Sequence, residues 1–276
     1  MTYEKMGETP LDYMPCRYGD CRLLFRGPKR TLNGGFAAFL GGTETYGKYI
    51  SRPFPALVEA RTGLSCVNFG WPNAGVDVFL NEPDLLRMAG AARVVVLQVP
   101  CAQNLANRYY SVHPRRNDRF VEARTDLRGL FPEVDFTEFH FTRHMLSRLR
   151  RISYRRYMTL RQELQAVWLE RMHELLGRID PPVVLLWFSA HPPGRAADRP
   201  DLEADPALVT DGMINALRGQ VLQVLDVTVS ADALAQGTEG MIFSQLEVQA
   251  AGGVMNPAAH EEAAEAPTPL MAEIAG

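Results

Sequence analysis

The feature that most constrains the fold is the run Phe36-Ala-Ala-Phe-Leu-Gly-Gly-Thr43. Unbroken apolar residues empty into two glycines and a hydroxyl residue. A strand with one wet face would alternate polar and apolar positions, whereas a strand covered on both faces need not. Further strand candidates occur at Ser65–Phe69, Arg93–Val99, Pro182–Ala190 and Val221–Val229, several of them continuous apolar runs. Helical stretches lie between them. One is predicted over Tyr46–Thr62, stopped by Gly63. Another spans Asp77–Gly90, its regular part delayed by Pro83. Tyr157, Leu160, Leu164, Val167, Trp168, Met172, Leu175, Leu176 and Ile179 trace one face of a long helix. This alternation predicts an α/β fold: a three-layer α/β/α sandwich with a parallel sheet of about five strands.

The 276 residues are expected to form an N-terminal arm (1–33), one α/β domain (34–266) carrying an insertion at 104–156, and a short, frayed C-terminal tail (267–276). The span 104–139 is polar, aromatic and Arg-rich without a steady period, and reads as a long ordered loop. A formal charge of -3 gives no global pull toward nucleic acid. Of the 29 basic residues only Lys5, Lys29 and Lys48 are lysines, so single Arg clusters say little. The crowded stretch Arg143–Arg161 therefore reads as a solvated or self-paired face rather than a nucleic-acid surface. No apolar run has membrane-spanning length, and the N-terminal residues lack a secretion signal. Cys66 and Cys101 read as core residues, and Cys16 and Cys21 lack metal-site spacing. A cytoplasmic protein with reduced thiols is expected.

Four segments fall where such a sandwich presents ligands, beyond the carboxyl ends of its strands. They are Gly41–Gly47, Asn68–Gly75, Ala102–Asn104 and Asn256–His260. Glycine turns let a ligand approach the backbone, their N–H groups can stabilise an oxyanion, and a histidine can serve as base.

This order of segments resembles the SGNH (GDSL-like) hydrolase superfamily over roughly residues 34–264. The family's first block reads Gly-Asp-Ser-x-Thr-x-Gly. Gly41, Thr45 and Gly47 match it in register, with Thr43 in the nucleophile's place and Gly42 in that of the Asp. Gly75, or failing it Gly70, matches the oxyanion-hole glycine, and Asn104 is what remains of the Gly-x-Asn-Asp block. Asn256-Pro257-Ala-Ala-His260 matches the start of the last helix. The positions of the family's Asp and His read Ala251-Gly-Gly-Val254. The chain also resembles a group of bacterial proteins sharing a Gly-Gly-Thr-Glu-Thr-Tyr-Gly signature. The resemblance implies a flavodoxin-like sheet and ester hydrolysis or acyl transfer on a small polar or carbohydrate-linked substrate, with no metal or organic cofactor. Its site would comprise Thr43 as nucleophile or positioning hydroxyl, Gly75 and Asn104 as oxyanion donors, and His260 as base. Lys48, Asn73, Asn107, Arg108, His113, Arg115 and Arg116 are candidate substrate-binding residues, the arginines suited to an anionic group. The missing Asp-x-x-His equally suits a catalytically inactive relative that binds an anionic ligand or a partner chain.

Other readings compete. Gly42 to Lys48 nearly spells a phosphate loop, but Tyr49 replaces the magnesium-binding hydroxyl. His140 and His144 have helical metal-pair spacing without an identifiable third ligand. His173 reads as structural, His191 as a loop residue that can line the cleft, and Trp71 as either a stacking platform or an apolar cap.

Overall fold

The structure is a computed structural model that describes residues 11–33, 35–194 and 202–276; residues 1–10 of the expected arm and Gly34 at the domain boundary lie outside the described residues. The chain runs through β1 (Phe36–Gly41), α1 (Thr43–Tyr46), α2 (Phe54–Thr62), β2 (Ser65–Gly70), α3 (Val76–Leu80), α4 (Pro83–Gly90) and β3 (Val94–Gln98). A hairpin of β4 (Tyr110–His113) and β5 (Arg116–Ala123) follows, then α5 (Thr125–Leu130), α6 (Thr142–Ile152) and α7 (Tyr154–Gly177). Then come β6 (Val183–Ser189), α8 (Asp211–Leu217), β7 (Gln223–Thr228), α9 (Ala231–Ala235), α10 (Val248–Ala251), α11 (Pro257–Glu265) and α12 (Thr268–Ala275).

Five parallel strands form one sheet in the order β2-β1-β3-β6-β7. Numbered within the sheet this is 2-1-3-4-5, the flavodoxin-like order, whose direction reverses between its first and third strands. Leu40 pairs with Phe69 on one side and Leu97 on the other, so the turns after β1, β2 and β3 share one edge. Side chains alternate across the sheet. Phe36, Ala38 and Leu40 join the α7 stripe in one core, while Ala37 and Phe39 join α2, α11 and α12 in the other. The central strands β1, β3 and β6 are thus buried on both faces, which is why they read as nearly continuous apolar runs, whereas the edge strand β7 is partly exposed.

Several expected segments differ. The helix predicted over Tyr46–Thr62 is broken: Gly47 and Tyr49 take left-handed φ of 74° and 67°, and α2 restarts after Pro53. The second helix divides into α3 and α4 at Pro83. The span 104–139 contains the β4–β5 hairpin and α5 instead of one irregular loop. The frayed tail is instead α12, held by buried Met271 and by Thr268 Oγ1 donating to the Ala264 carbonyl at 2.6 Å. The described part of the arm packs its Tyr18 and Phe25 rings against Phe69.

Candidate functional site

The turn after β1 is built by side chains from neighbouring strands. Gln98 Oε1, at the end of β3, accepts from Gly42 N at 3.2 Å, Thr45 N at 3.1 Å and Thr45 Oγ1 at 2.6 Å. Asn68 Nδ2 on β2 donates to the Thr45 carbonyl at 2.7 Å. Beneath the turn, buried Arg26 donates to the carbonyls of Tyr46, Gly47, Ile50 and Ser51. The close approach explains Gly41: a Cβ there would meet Thr45 Oγ1 at 2.1 Å. With two of its amides committed to Gln98, the turn also loses donors that a phosphate loop would need.

Thr43 stands at the start of α1. Its Oγ1 accepts from Asn73 N at 3.0 Å and donates to Asn73 Oδ1 at 3.2 Å. Asn73, at a left-handed φ of 57°, passes its Nδ2 to Asp118 Oδ2 at 3.3 Å. Burial raises the Asp118 carboxyl above its ordinary range, against the pull of Arg119 and Arg116. Asn104 is buried, and its Oδ1 accepts from Thr142 Oγ1 at 2.8 Å. Its Nδ2 makes no hydrogen bond among the described residues, leaving a donor.

Thr43, Asn73, Asn104 and Lys48 line one cleft of about 1260 Å³ at the carboxyl edge of the sheet. Tyr13, Tyr46, Phe141 and Phe188 add aromatic surface, and Gly253, Val254 and Met255 contribute the loop before α11. That loop is where the SGNH pattern would put its Asp and His. It reaches the cleft with backbone and apolar groups alone.

Glu44, beside Thr43, also lines the cleft. Its Oε2 accepts from Met255 N at 3.1 Å. Burial pushes its carboxyl up to about 8; the Met255 amide opposes this and the Asp205 carboxylate adds to it. Elsewhere on the wall, Cys101 Sγ donates to Asp205 Oδ1 at 3.0 Å, and Arg143 pairs with the same oxygen. Burial and Asp205 together hold the Cys101 thiol well above its ordinary range, which disfavours the nucleophilic thiolate.

His260 does not meet Thr43. It is fully buried on α11, against Phe54 and Phe188. Its Nδ1 accepts from Phe54 N at 3.1 Å. An imidazole nitrogen that accepts carries no proton, so the neutral ring holds its proton on Nε2. Nε2 has no hydrogen-bond partner and lies 3.9 Å from Glu44 Oε2. Burial, with the Arg26 charge adding, lowers its pKa to about 3. A ring with one nitrogen committed as acceptor and the other as donor cannot take a proton from Thr43.

Other expected site residues are engaged elsewhere. Gly75 N donates to Asn117 Oδ1 at 3.1 Å, so that amide is closed to an oxyanion. Asn107 Oδ1 accepts from Tyr109 N and Tyr110 N, closing a local turn. Arg108 pairs with Glu163, and His113 Nδ1 accepts from Arg115 N and Arg116 N. None of Gly75, Asn107, Arg108, His113, Arg115 or Arg116 lines the cleft. The expected anion clamp is therefore not assembled there. Trp71 Nε1 instead ties the hairpin down through the Arg115 carbonyl. Gln98, Glu44, Asp118 and Asp205 were missed because their roles depend on contacts distant in sequence. A polar residue ending the otherwise apolar β3 was the available signal for Gln98. Among the described residues no group of three or more His, Cys, Asp or Glu is placed to hold a metal ion, and no helix is long and apolar enough to cross a membrane.

Fold and cleft together define an α/β protein with a polar site at the switch point of a parallel sheet. The chain belongs to the family described as Domain of unknown function (DUF6473), which matches residues 1–275. No curated protein matches it by sequence. Solved structures similar to it include LAE5, an alpha/beta hydrolase enzyme from the metagenome of Lake Arreo, Spain. It is 14% identical, with 88% of this chain and 97% of that chain covered and a TM-score of 0.42. The lipase Lip_vut3 from a goat rumen metagenome is 14% identical, with 83% and 96% covered and a TM-score of 0.34.

Proposed function

We propose that the chain is a divergent SGNH-like hydrolase or acyltransferase acting on an ester of a small polar or carbohydrate-linked substrate. The observation that carries this reading is the convergence of Thr43, Asn73 and the free Asn104 Nδ2 on one cleft beyond β1 and β3. Such convergence at a sheet's switch point suits a polar ligand flanked by aromatic walls. Thr43 acts as a substrate-positioning hydroxyl, because its oxygen is held by Asn73 and no base bonds to it. Asn104 Nδ2 donates to the substrate carbonyl oxygen as charge develops there. Lys48 borders the site and helps to hold the substrate's polar end. The four free thiols support a reducing compartment, the cytoplasm.

A panel of acetylated sugars and short-chain esters tests this against wild type, Thr43→Val and Asn104→Leu. Turnover that falls in both variants is expected. The second reading is a binding protein without turnover, favoured by the apolar Ala251–Val254 loop where the family's catalytic pair would stand. Thermal stabilisation by a panel member that is never cleaved, lost in Thr43→Val, identifies that case.

A further inference from the structure

The hydrolytic reading requires a group that takes and returns a proton, and His260 is locked out of that role. We infer that Glu44 is the acid–base residue of this cleft, its carboxyl oriented by the Met255 amide and by His260, a positioning residue that keeps its proton on Nε2. This rests on the hydrolytic reading above, and goes beyond it by naming the proton carrier.

The geometry treats the two carboxyl oxygens differently. Oε2 faces inward, where it accepts from Met255 N at 3.1 Å and lies 3.9 Å from the unpartnered His260 Nε2. Oε1 makes no hydrogen bond among the described residues, and the side chain keeps 17% of its surface exposed along the cleft. One oxygen is therefore anchored and the other is left for substrate or water. His260 supplies a fixed N–H, since its Nδ1 is held by Phe54 N. A fully buried imidazole N–H without a partner is costly, and an ionised carboxylate drawn toward it would satisfy both groups.

The surroundings tune the carboxyl. His260 faces it from α11, the Met255 amide from the preceding loop, and the Asp205 carboxylate acts on it from the segment after β6. Lys48 lies on the same turn, and the Arg26 charge bears on His260 from the arm. Burial, with Asp205 adding to it, outweighs the Met255 amide, so that the carboxyl exchanges its proton near neutral pH, where general acid–base catalysis is most effective. In ester hydrolysis a water oxygen bonds to the acyl carbon as its proton passes to ionised Glu44. The ester C–O bond then breaks as that proton passes from Glu44 to the departing alkoxide. The products are acid and alcohol, and Glu44 is restored.

The test follows the carboxyl carbons of full-length protein labelled with 13C at glutamate side chains, through pH 4 to 9. One signal titrating near 8 is expected, absent in Glu44→Gln. In His260→Asn, whose amide oxygen can still accept from Phe54 N, the midpoint is expected to rise further, because the charged form has lost a donor. On any ester that is turned over, Glu44→Gln is expected to lower kcat/KM by about 10²–10⁴-fold and to remove the limb of the pH profile near 8. A Glu44 signal titrating with ordinary carboxylates overturns the inference, whether or not esters are cleaved. An unmoved midpoint in His260→Asn overturns the role of His260, and if that variant does not fold, His260→Gln is read in its place. A midpoint near 8 without turnover of any ester upholds the proton site and removes the hydrolytic reading instead.

Discussion

Gln98 Oε1 and Thr45 Oγ1 lie 2.6 Å apart at the end of β3, and the same Gln98 oxygen also receives the amides of Gly42 and Thr45. One side-chain carbonyl thus fixes the conformation of the turn that carries Thr43 and Glu44. Replacing it with an apolar isostere strands buried donors. Gln98→Leu is expected to cost about 2–3 kcal/mol, whereas Gln98→Glu, which keeps an acceptor at that position, should cost less. Urea denaturation of the two variants checks the order, and equal costs would remove this account.

The glycines separate by what surrounds them. A Cβ on Gly41 would stand 2.1 Å from Thr45 Oγ1 and 2.7 Å from Gln98 Oε1, whereas one on Gly129 would meet nothing within 4 Å. Gly41→Ala is expected to destabilise by more than about 2 kcal/mol, through overpacking of a rigid turn. Gly129→Ala, on an exposed turn of α5, should stabilise by about 0.5–1 kcal/mol by narrowing the unfolded ensemble. Thermal melts of the pair give the comparison.

The sheet was legible in the sequence and much of the site was not. All five strands were predicted to within about two residues; β1, β3 and β6 are buried along their whole length, and burial on both faces removes polar interruptions, whereas the edge strand β7 is partly exposed and carries Gln223, Asp226 and Thr228. The same logic marked the turns carrying Thr43, Asn73 and Asn104. It gave no access to His260, whose place on the inward face of α11 follows from the packing of Phe54 and Phe188. The β4–β5 hairpin was obscured because its buried residues, Tyr110, Val112, Asn117, Phe120 and Ala123, are interleaved with polar and charged ones, Arg116 and Arg119 among them. The break after Gly47 depends on Arg26, some twenty residues earlier, and no local pattern reports it.

Arg26 is the next point of leverage. Its guanidinium serves four backbone carbonyls in a turn that has no regular helix to satisfy them. Arg26→Met is expected to cost roughly 3 kcal/mol or more, since it leaves buried carbonyls without donors. Arg26→Lys should recover only part, because one ammonium lacks the forked donors that span Gly47 and Ile50. Chemical denaturation measures both, and a Lys variant equal to wild type would show that charge alone suffices.

The pairing of Glu44 with His260 sets a pH signature for stability. Glu44 rises from 4.5 to about 8 on folding, so between those values the native state binds the extra proton and stability falls as pH rises. His260 falls from 6.5 to about 3, so between those values the unfolded state binds the extra proton and stability falls as pH drops. Each slope approaches about 1.4 kcal/mol per pH unit. They oppose one another between 4.5 and 6.5, where these two residues together leave stability nearly flat. Above 6.5 only the Glu44 slope remains, and below 4.5 only that of His260. Urea-derived stabilities from pH 4 to 9 should therefore show a plateau with a shoulder falling on each side. Glu44→Gln is expected to abolish the decline above 6.5, and His260→Asn the decline below 4.5. A wild-type curve that stays level from 6.5 to 8, in step with Glu44→Gln, would mean that Glu44 is ionised across that range like any surface carboxylate.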